Sequence, residues 1–216
     1  MGKIKQGILG GFSGKVGTVI GSSWKGISYM KGRSQHVNNP RTEGQLNQRN
    51  KFVLALSFLQ PVVPYIRIGY KTQADKQTEF NAAMSYIIKN AITGSSPDYS
   101  LNYSAILVSR GSLTQVANAT ATLGTDNKSV RFNWEPNSGT GTAVHTDFAM
   151  PFIYNKTKHE SVYDTNLYNR QIGSLTMQLP VNWAGDKVEV YFGMASVDGK
   201  NVADSIYLGE LTIPAE

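Results

Sequence analysis

The chain of 216 residues contains no cysteine. That one absence excludes disulfides, thiolate catalysis and cysteine-ligated zinc. Histidine is almost as scarce: His36, His145 and His159 are the three, and no two stand at i, i+3 or i+4. A helical metal-binding pair is therefore missing. His145 and Asp147, two apart on an expected strand, read as a solvent-facing pair. No Gly-x-Ser-x-Gly elbow precedes a helix. The phosphate-loop pattern fails as well, because Leu9 stands where its first glycine belongs and Val16 follows Gly14-Lys15. Long apolar runs are lacking too. The longest, around Phe52 to Leu59, is broken by Ser57 and is too short to cross a bilayer. Ile8-Leu9 is cut off by Gly10-Gly11, so no signal peptide is visible. These gaps lead to the expectation of a soluble protein with no membrane insertion. They also argue against an enzyme, and for no catalytic residues, metal or cofactor.

Acidic residues are missing from one stretch only. The first 42 residues hold Lys3, Lys5, Lys15, Lys25, Lys31, Arg33 and Arg41 and not one Asp or Glu. The overall excess is +6, from 21 basic and 15 acidic side chains, with charged residues at 17%. Residues 1–110 carry 14 basic and 4 acidic groups, whereas residues 111–216 carry 7 and 11. An uncompensated cationic segment attracts a partner that neutralises it.

Glycine punctuates this basic start. Lys15–Ile20 and Ser23–Met30 read as β-prone pieces of a two-stranded ribbon turning near Gly21-Ser22-Ser23. In the second piece Trp24, Gly26, Ser28 and Met30 alternate with Lys25, Ile27, Tyr29 and Lys31. A lone ribbon is marginal in water, and Trp24 and Tyr29 argue against a disordered tail. An extended connector, His36–Pro40, leads to a helix start at Thr42-Glu43-Gly44-Gln45, which fits the capping box. Leu46, Val53, Leu56 and Leu59, with Phe52 flanking, supply its expected buried stripe, and Pro61 stops or kinks it. Val62–Gly69 reads as a buried crossing. A second helix carries Phe80, Ala83, Met84, Ile87, Ile88 and Ala91 on one face, with Gly94 placed as its cap.

From about Leu101 the period changes to two. Tyr103–Val108, Val130–Trp134, Val144–Met150, Val188–Met194 and Ile206–Ile213 read as strands, with turns at Asp126-Asn127, Asn137–Gly139, Ala184–Asp186 and Asp198-Gly199. Roughly seven strands over about 100 residues is the pattern of an immunoglobulin or fibronectin type III sandwich with Trp134 in its core. Without cysteines the fibronectin-like variant is favoured. The expected fold is thus α+β and mostly β. Residues 1–100 form a basic β-ribbon and helical domain, and 101–216 form the sandwich domain.

Three segments carry a resemblance: Gly14-Lys15-Val16-Gly17 with Gly21–Gly26, then Asn39–Arg49 leading into Lys51-Phe52, then Ser109–Leu113. The chain resembles a Bacteroidota family classed as a domain of unknown function. The resemblance implies a bacterial or bacteriophage source, hence a cytoplasmic or virion location, and no established activity.

The functional expectation is a non-catalytic structural or assembly protein, forming a homo-oligomer or larger assembly such as a phage-related particle. Its basic ribbon docks on another subunit or polyanion through Lys15, Trp24, Lys25, Tyr29, Lys31, Arg33, Arg41 and Arg49. Nucleic-acid binding by the same arm is the alternative, with lysines on phosphates and aromatics stacked on bases. A second alternative is ligand or carbohydrate binding by the sandwich, through Tyr154, Tyr163, Tyr168 and Trp183.

Overall fold

The computed structural model describes every residue except Met1, Lys5, Gln6, Ile8, Leu9, Lys25, Val37, Asn38, Pro40, Lys76, Asn166 and Glu216. It divides into two compact units, residues 1–42 and 43–216. The expected boundary at 100/101 falls inside the second unit, where the helices share a hydrophobic core with the strands that follow them.

The first unit is a four-stranded antiparallel meander: β1 (Lys3–Ile4), β2 (Phe12–Val16), β3 (Val19–Trp24) and β4 (Ile27–Gly32). The expected turn near Gly21–Ser23 lies instead within β3. The chain reverses between Val16 and Val19 and again between Trp24 and Ile27, which are paired residues. Two-residue hairpins need positive φ, and Gly17 (φ +58°) and Gly26 (φ +84°) supply it. β2 serves two ladders, its Phe12 and Ser13 pairing with β1 and its Gly14–Val16 with β3. Gly21 is buried under Phe12: a Cβ there would lie 2.2 Å from the Phe12 carbonyl oxygen and 2.5 Å from the ring.

The second unit opens with α1 (Glu43–Leu59), which continues through a 3-10 turn at Pro61 into α2 (Val63–Gly69). The expected crossing is thus a helix, set off from α1 by a 3-10 turn where proline removes a donor. By length and composition the run Glu43–Gly69 is apolar enough to cross a bilayer. Its second half is instead occupied here, with Ala55, Phe58, Leu59, Val62, Tyr65 and Ile66 all buried. Leu46, Phe52 and Val53 do not join that face; they are exposed. α3 (Glu79–Asn90) starts at Thr78, whose hydroxyl accepts the Asn81 N–H at 3.2 Å. It buries Ala82, Ala83, Met84 and Ile87 and ends at Ala91, so Gly94 is not its cap. Gly94 belongs to a hairpin of β5 (Ile92–Ser95) and β6 (Asp98–Leu101).

Seven strands follow: β7 (Ala117–Leu123), β8 (Ser129–Glu135), β9 (Phe148–Asn155), β10 (Glu160–Tyr163), β11 (Ser174–Gln178), β12 (Lys187–Ala195) and β13 (Ile206–Thr212). They form one sheet in the order β11-β8-β7 and another in the order β10-β9-β12-β13. First, second and fifth strands against third, fourth, sixth and seventh is the fibronectin type III arrangement. Phe132, Trp134, Leu175 and Met177 of the smaller sheet interlock with Ile153, Val188, Val190, Phe192 and Met194 of the larger. On the reverse side of the larger sheet, Met150, Phe152, Tyr154 and Tyr191 pack under the helices. The fold is therefore three layers, with the larger sheet covered on both faces.

Two expected strands differ. Tyr103–Val108 makes a 3-10 turn at Tyr103–Ala105 and then runs without a ladder, because its backbone bonds to loop partners. Val108 N–H, for example, donates to Ser205 Oγ at 2.9 Å. Val144–Asp147 is a turn, and the strand begins at Phe148. His145 is exposed, while Asp147 is buried against Arg170, so the expected strand-face pair does not form. Arg170, fully enclosed, meets Asp147 Oδ2 at 3.1 Å, Asn137 Oδ1 at 2.6 Å and the Thr114 carbonyl at 2.7 Å. Its own carbonyl accepts Trp134 Nε1–H at 2.8 Å. One cation thereby ties three loops to the core.

Candidate docking interface on the N-terminal sheet

In the first unit the side chains alternate across a sheet in a fixed register. Lys15, Ile20 and Lys31 stand in one cross-strand row, Ser22 and Tyr29 in the next, Trp24 and Ile27 in the third. Directly opposed residues share a face, and residues two apart on a strand share it too. These seven side chains therefore make one surface. Two strand spacings of about 4.8 Å put the Lys15 and Lys31 backbones roughly 10 Å apart. That is about one Debye length at 0.1 M salt, so their fields add.

Apolar exposure on this sheet is large. Ile27 is 65% exposed, Met30 71%, Trp24 62% and Tyr29 41%. All six residues of β4 are exposed, and Gly21 is the buried residue among those described in the four strands. Isolated exposed hydrophobics are ordinary, but Trp24, Ile27 and Tyr29 grouped beside a cationic row mark an interaction surface, with Met30 on the opposite face.

Of the residues singled out from sequence, Lys15, Trp24, Tyr29 and Lys31 come together on that face. Arg33 follows β4, with its N–H donating to the Thr18 carbonyl at 2.7 Å. Arg41 is exposed just ahead of α1, with φ +49°. Arg49 is an exposed residue of α1 and belongs to the second unit. Lys25 lies outside the described residues, as do Val37, Asn38 and Pro40 of the expected connector. Trp24 departs from the expected alternation. The turn after it places it with Tyr29 and Lys31 rather than with Met30. Ile27, expected with Trp24 and Tyr29 to need burial, is exposed, and Met30 was missed. The signal for both was the glycine two places after Trp24, which marks a hairpin and sets the register.

The aromatic set considered for ligand binding on the sandwich is otherwise engaged. Tyr154 and Trp183 are buried, the latter donating Nε1–H to Glu160 Oε2 at 2.8 Å. Tyr163 packs edge-on against Tyr65 with ring centroids 5.7 Å apart, and Tyr168 packs on the inter-sheet core. Among the described residues, no three His, Asp or Glu side chains gather as a metal-binding group.

No curated protein matches the chain. The solution structure of the fn3 domain of the human collagen alpha-1(XX) chain matches at 13% identity and a TM-score of 0.34, over 50% of this chain and 93% of that one. A family model described as "Family of unknown function (DUF6266)" matches residues 11–209, nearly the full length, and the chain belongs to that family.

Proposed function

We propose that this protein is a non-catalytic assembly subunit that docks onto a protein partner through its N-terminal sheet. The observation that carries the reading is the sheet's poor self-sufficiency: four strands, hardly any buried side chain, and exposed Trp24, Ile27, Tyr29 and Met30. A small sheet gains its stability by covering such side chains. Charge favours the same reading. Residues 1–42 hold seven cations and no carboxylate, whereas the remainder holds 14 basic and 15 acidic groups. The larger unit has its own two hydrophobic clusters, built from residues between 55 and 213. With the motifs Gly14–Gly17 and Asn39–Arg49 that resemble a Bacteroidota family, the proposed setting is a bacterial cytoplasm or a phage-related particle.

Solution mass tests this. The full chain is expected to sediment above its monomer mass, and a variant lacking residues 2–34 to sediment as a folded monomer. A full chain that stays monomeric at high micromolar concentration refutes the reading.

A second reading, nucleic-acid binding, has its own supporting observation, the sharing of one face by Lys15, Lys31, Trp24 and Tyr29. Cationic rows with stackable rings suit single-stranded nucleic acid. Its mark is retention of DNA or RNA at low salt, lost steeply between about 50 and 200 mM. The protein reading ranks first because Ile27 and Met30, both highly exposed, offer nothing to phosphates or bases.

A further inference from the structure

We infer that β4 pairs edge to edge with β4 of a second copy, antiparallel, about a two-fold axis at Met30. The inference rests on the reading of the N-terminal sheet as the docking element. β4 closes one end of the strand order β1-β2-β3-β4, so among the described residues one side of it has no neighbouring strand. The direction of its backbone groups follows from the register. Trp24 and Ile27 close a two-residue hairpin and form a hydrogen-bonded pair, so Ser22↔Tyr29 and Ile20↔Lys31 are hydrogen-bonded too. The Arg33 N–H bond to the Thr18 carbonyl continues that alternation. Ser28, Met30 and Gly32 therefore turn their N–H and C=O groups away from β3. Among the described residues, no backbone bond outside the ladder reaches them.

Proteins usually guard such an edge with proline, a bulge or several charges. β4 has six residues, no proline, an unbroken register with β3, and Lys31 as its single charge. It is also self-complementary in one register. Centred on Met30, two copies set Ser28 opposite Gly32, Met30 opposite Met30, and Ser28 again opposite Gly32, exchanging about six backbone hydrogen bonds. On the other face, each Tyr29 stands opposite Lys31 of the second copy, a cation–π pairing, and each Ile27 opposite Arg33. The neighbouring registers are worse. Centring on Lys31 sets that lysine against its own copy, like against like, and centring on Tyr29 sets Gly32 against the hairpin turn at Gly26 and leaves about four backbone bonds instead of six. The two-fold pairing is closed and isologous, so it stops at a dimer.

The test exploits the absence of native cysteine. Met30→Cys places two thiols across the axis with Cα atoms about 5.5 Å apart, within the range a disulfide spans. Ser23→Cys, exposed on the inner strand β3, is the control. Under mild oxidation the Met30→Cys chain is expected to cross-link at least about tenfold faster than the control, because pairing raises the local thiol concentration. Met30→Pro removes an outward N–H without touching the ladder to β3, and is expected to sediment at a lower mass than the parent chain. Equal cross-linking rates, or a Met30→Pro chain with unchanged mass, overturn the inference. If deleting residues 2–34 still lowers the mass while those outcomes hold, the sheet docks by another surface, and only the β4 pairing falls.

Discussion

Raising pH should unfold the second unit through a small set of tyrosines. Tyr65, Tyr70, Tyr154 and Tyr191 are buried, and burial pushes each phenol well above its ordinary range. The hydroxyls of Tyr65, Tyr70 and Tyr191 also donate to the carbonyls of Met150 (3.0 Å), Leu107 (2.9 Å) and Tyr103 (2.8 Å). Ionisation would press a phenolate against a carbonyl lone pair in a dry core. In the unfolded chain the same groups ionise near pH 10. A native value raised above the unfolded one contributes fully below about pH 10 and is lost as pH climbs towards it. Four such groups, at ~1.4 kcal/mol per pH unit each, remove ~5–6 kcal/mol within one unit. That is comparable with the ~5–15 kcal/mol that holds a domain together. Tyrosinate absorbance followed with far-ultraviolet circular dichroism is the assay. Of the eleven tyrosines, the exposed ones should titrate first. The four buried ones should appear in one steep step that coincides with loss of the dichroism. If all eleven ionise along a single curve near pH 10 while the dichroism is unchanged, the reasoning is wrong.

Replacing Arg170 by Met strands the buried Asp147 carboxylate and should cost roughly 3–5 kcal/mol in urea denaturation. Docking by the N-terminal sheet should be unaffected, and a loss well under 1 kcal/mol would contradict the role given to that cation. Gly21→Val drives a side chain into Phe12. Limited proteolysis should then cleave within residues 1–42, while the thermal midpoint of the second unit stays put. Asp126, Asp186, Asp198 and Glu210 sit below their ordinary values, held by Ser129, Lys158, Ser196 and Lys156 respectively. Their contribution is present above about pH 4 and lost as pH falls through the depressed native values, so urea midpoints should drop below pH 4. Asp186→Asn should soften that decline.

The parts of the fold legible in sequence are those with one buried face. Val130, Phe132 and Trp134 alternate because Arg131 and Asn133 between them face away from the core, and α3 shows its stripe because one side is solvated. The parts that misled have their own physics. α1 carries apolar residues on both its buried and its exposed sides, so its stripe pointed to Leu46 and Val53 rather than Ala55 and Phe58. β9 is buried from Ala149 to Asn155, which erases the period of two that would have fixed its start. Tyr103–Val108 is apolar enough for a strand, yet its donors are taken by Ser205 and a 3-10 turn. The candidate site was legible as composition but not as geometry. Trp24 and Tyr29 lie five residues apart, and only a hairpin between them brings both to one face.

Covering the larger sheet on both sides has a practical corollary for dissecting the molecule. Its outer residues Met150, Phe152, Tyr154 and Tyr191 are as apolar as its inner ones. A fragment cut at residue 101, where the strand grammar begins, would bare that greasy surface and precipitate. The shortest piece worth expressing starts at Glu43, so the helices are the lid without which this sandwich cannot be handled.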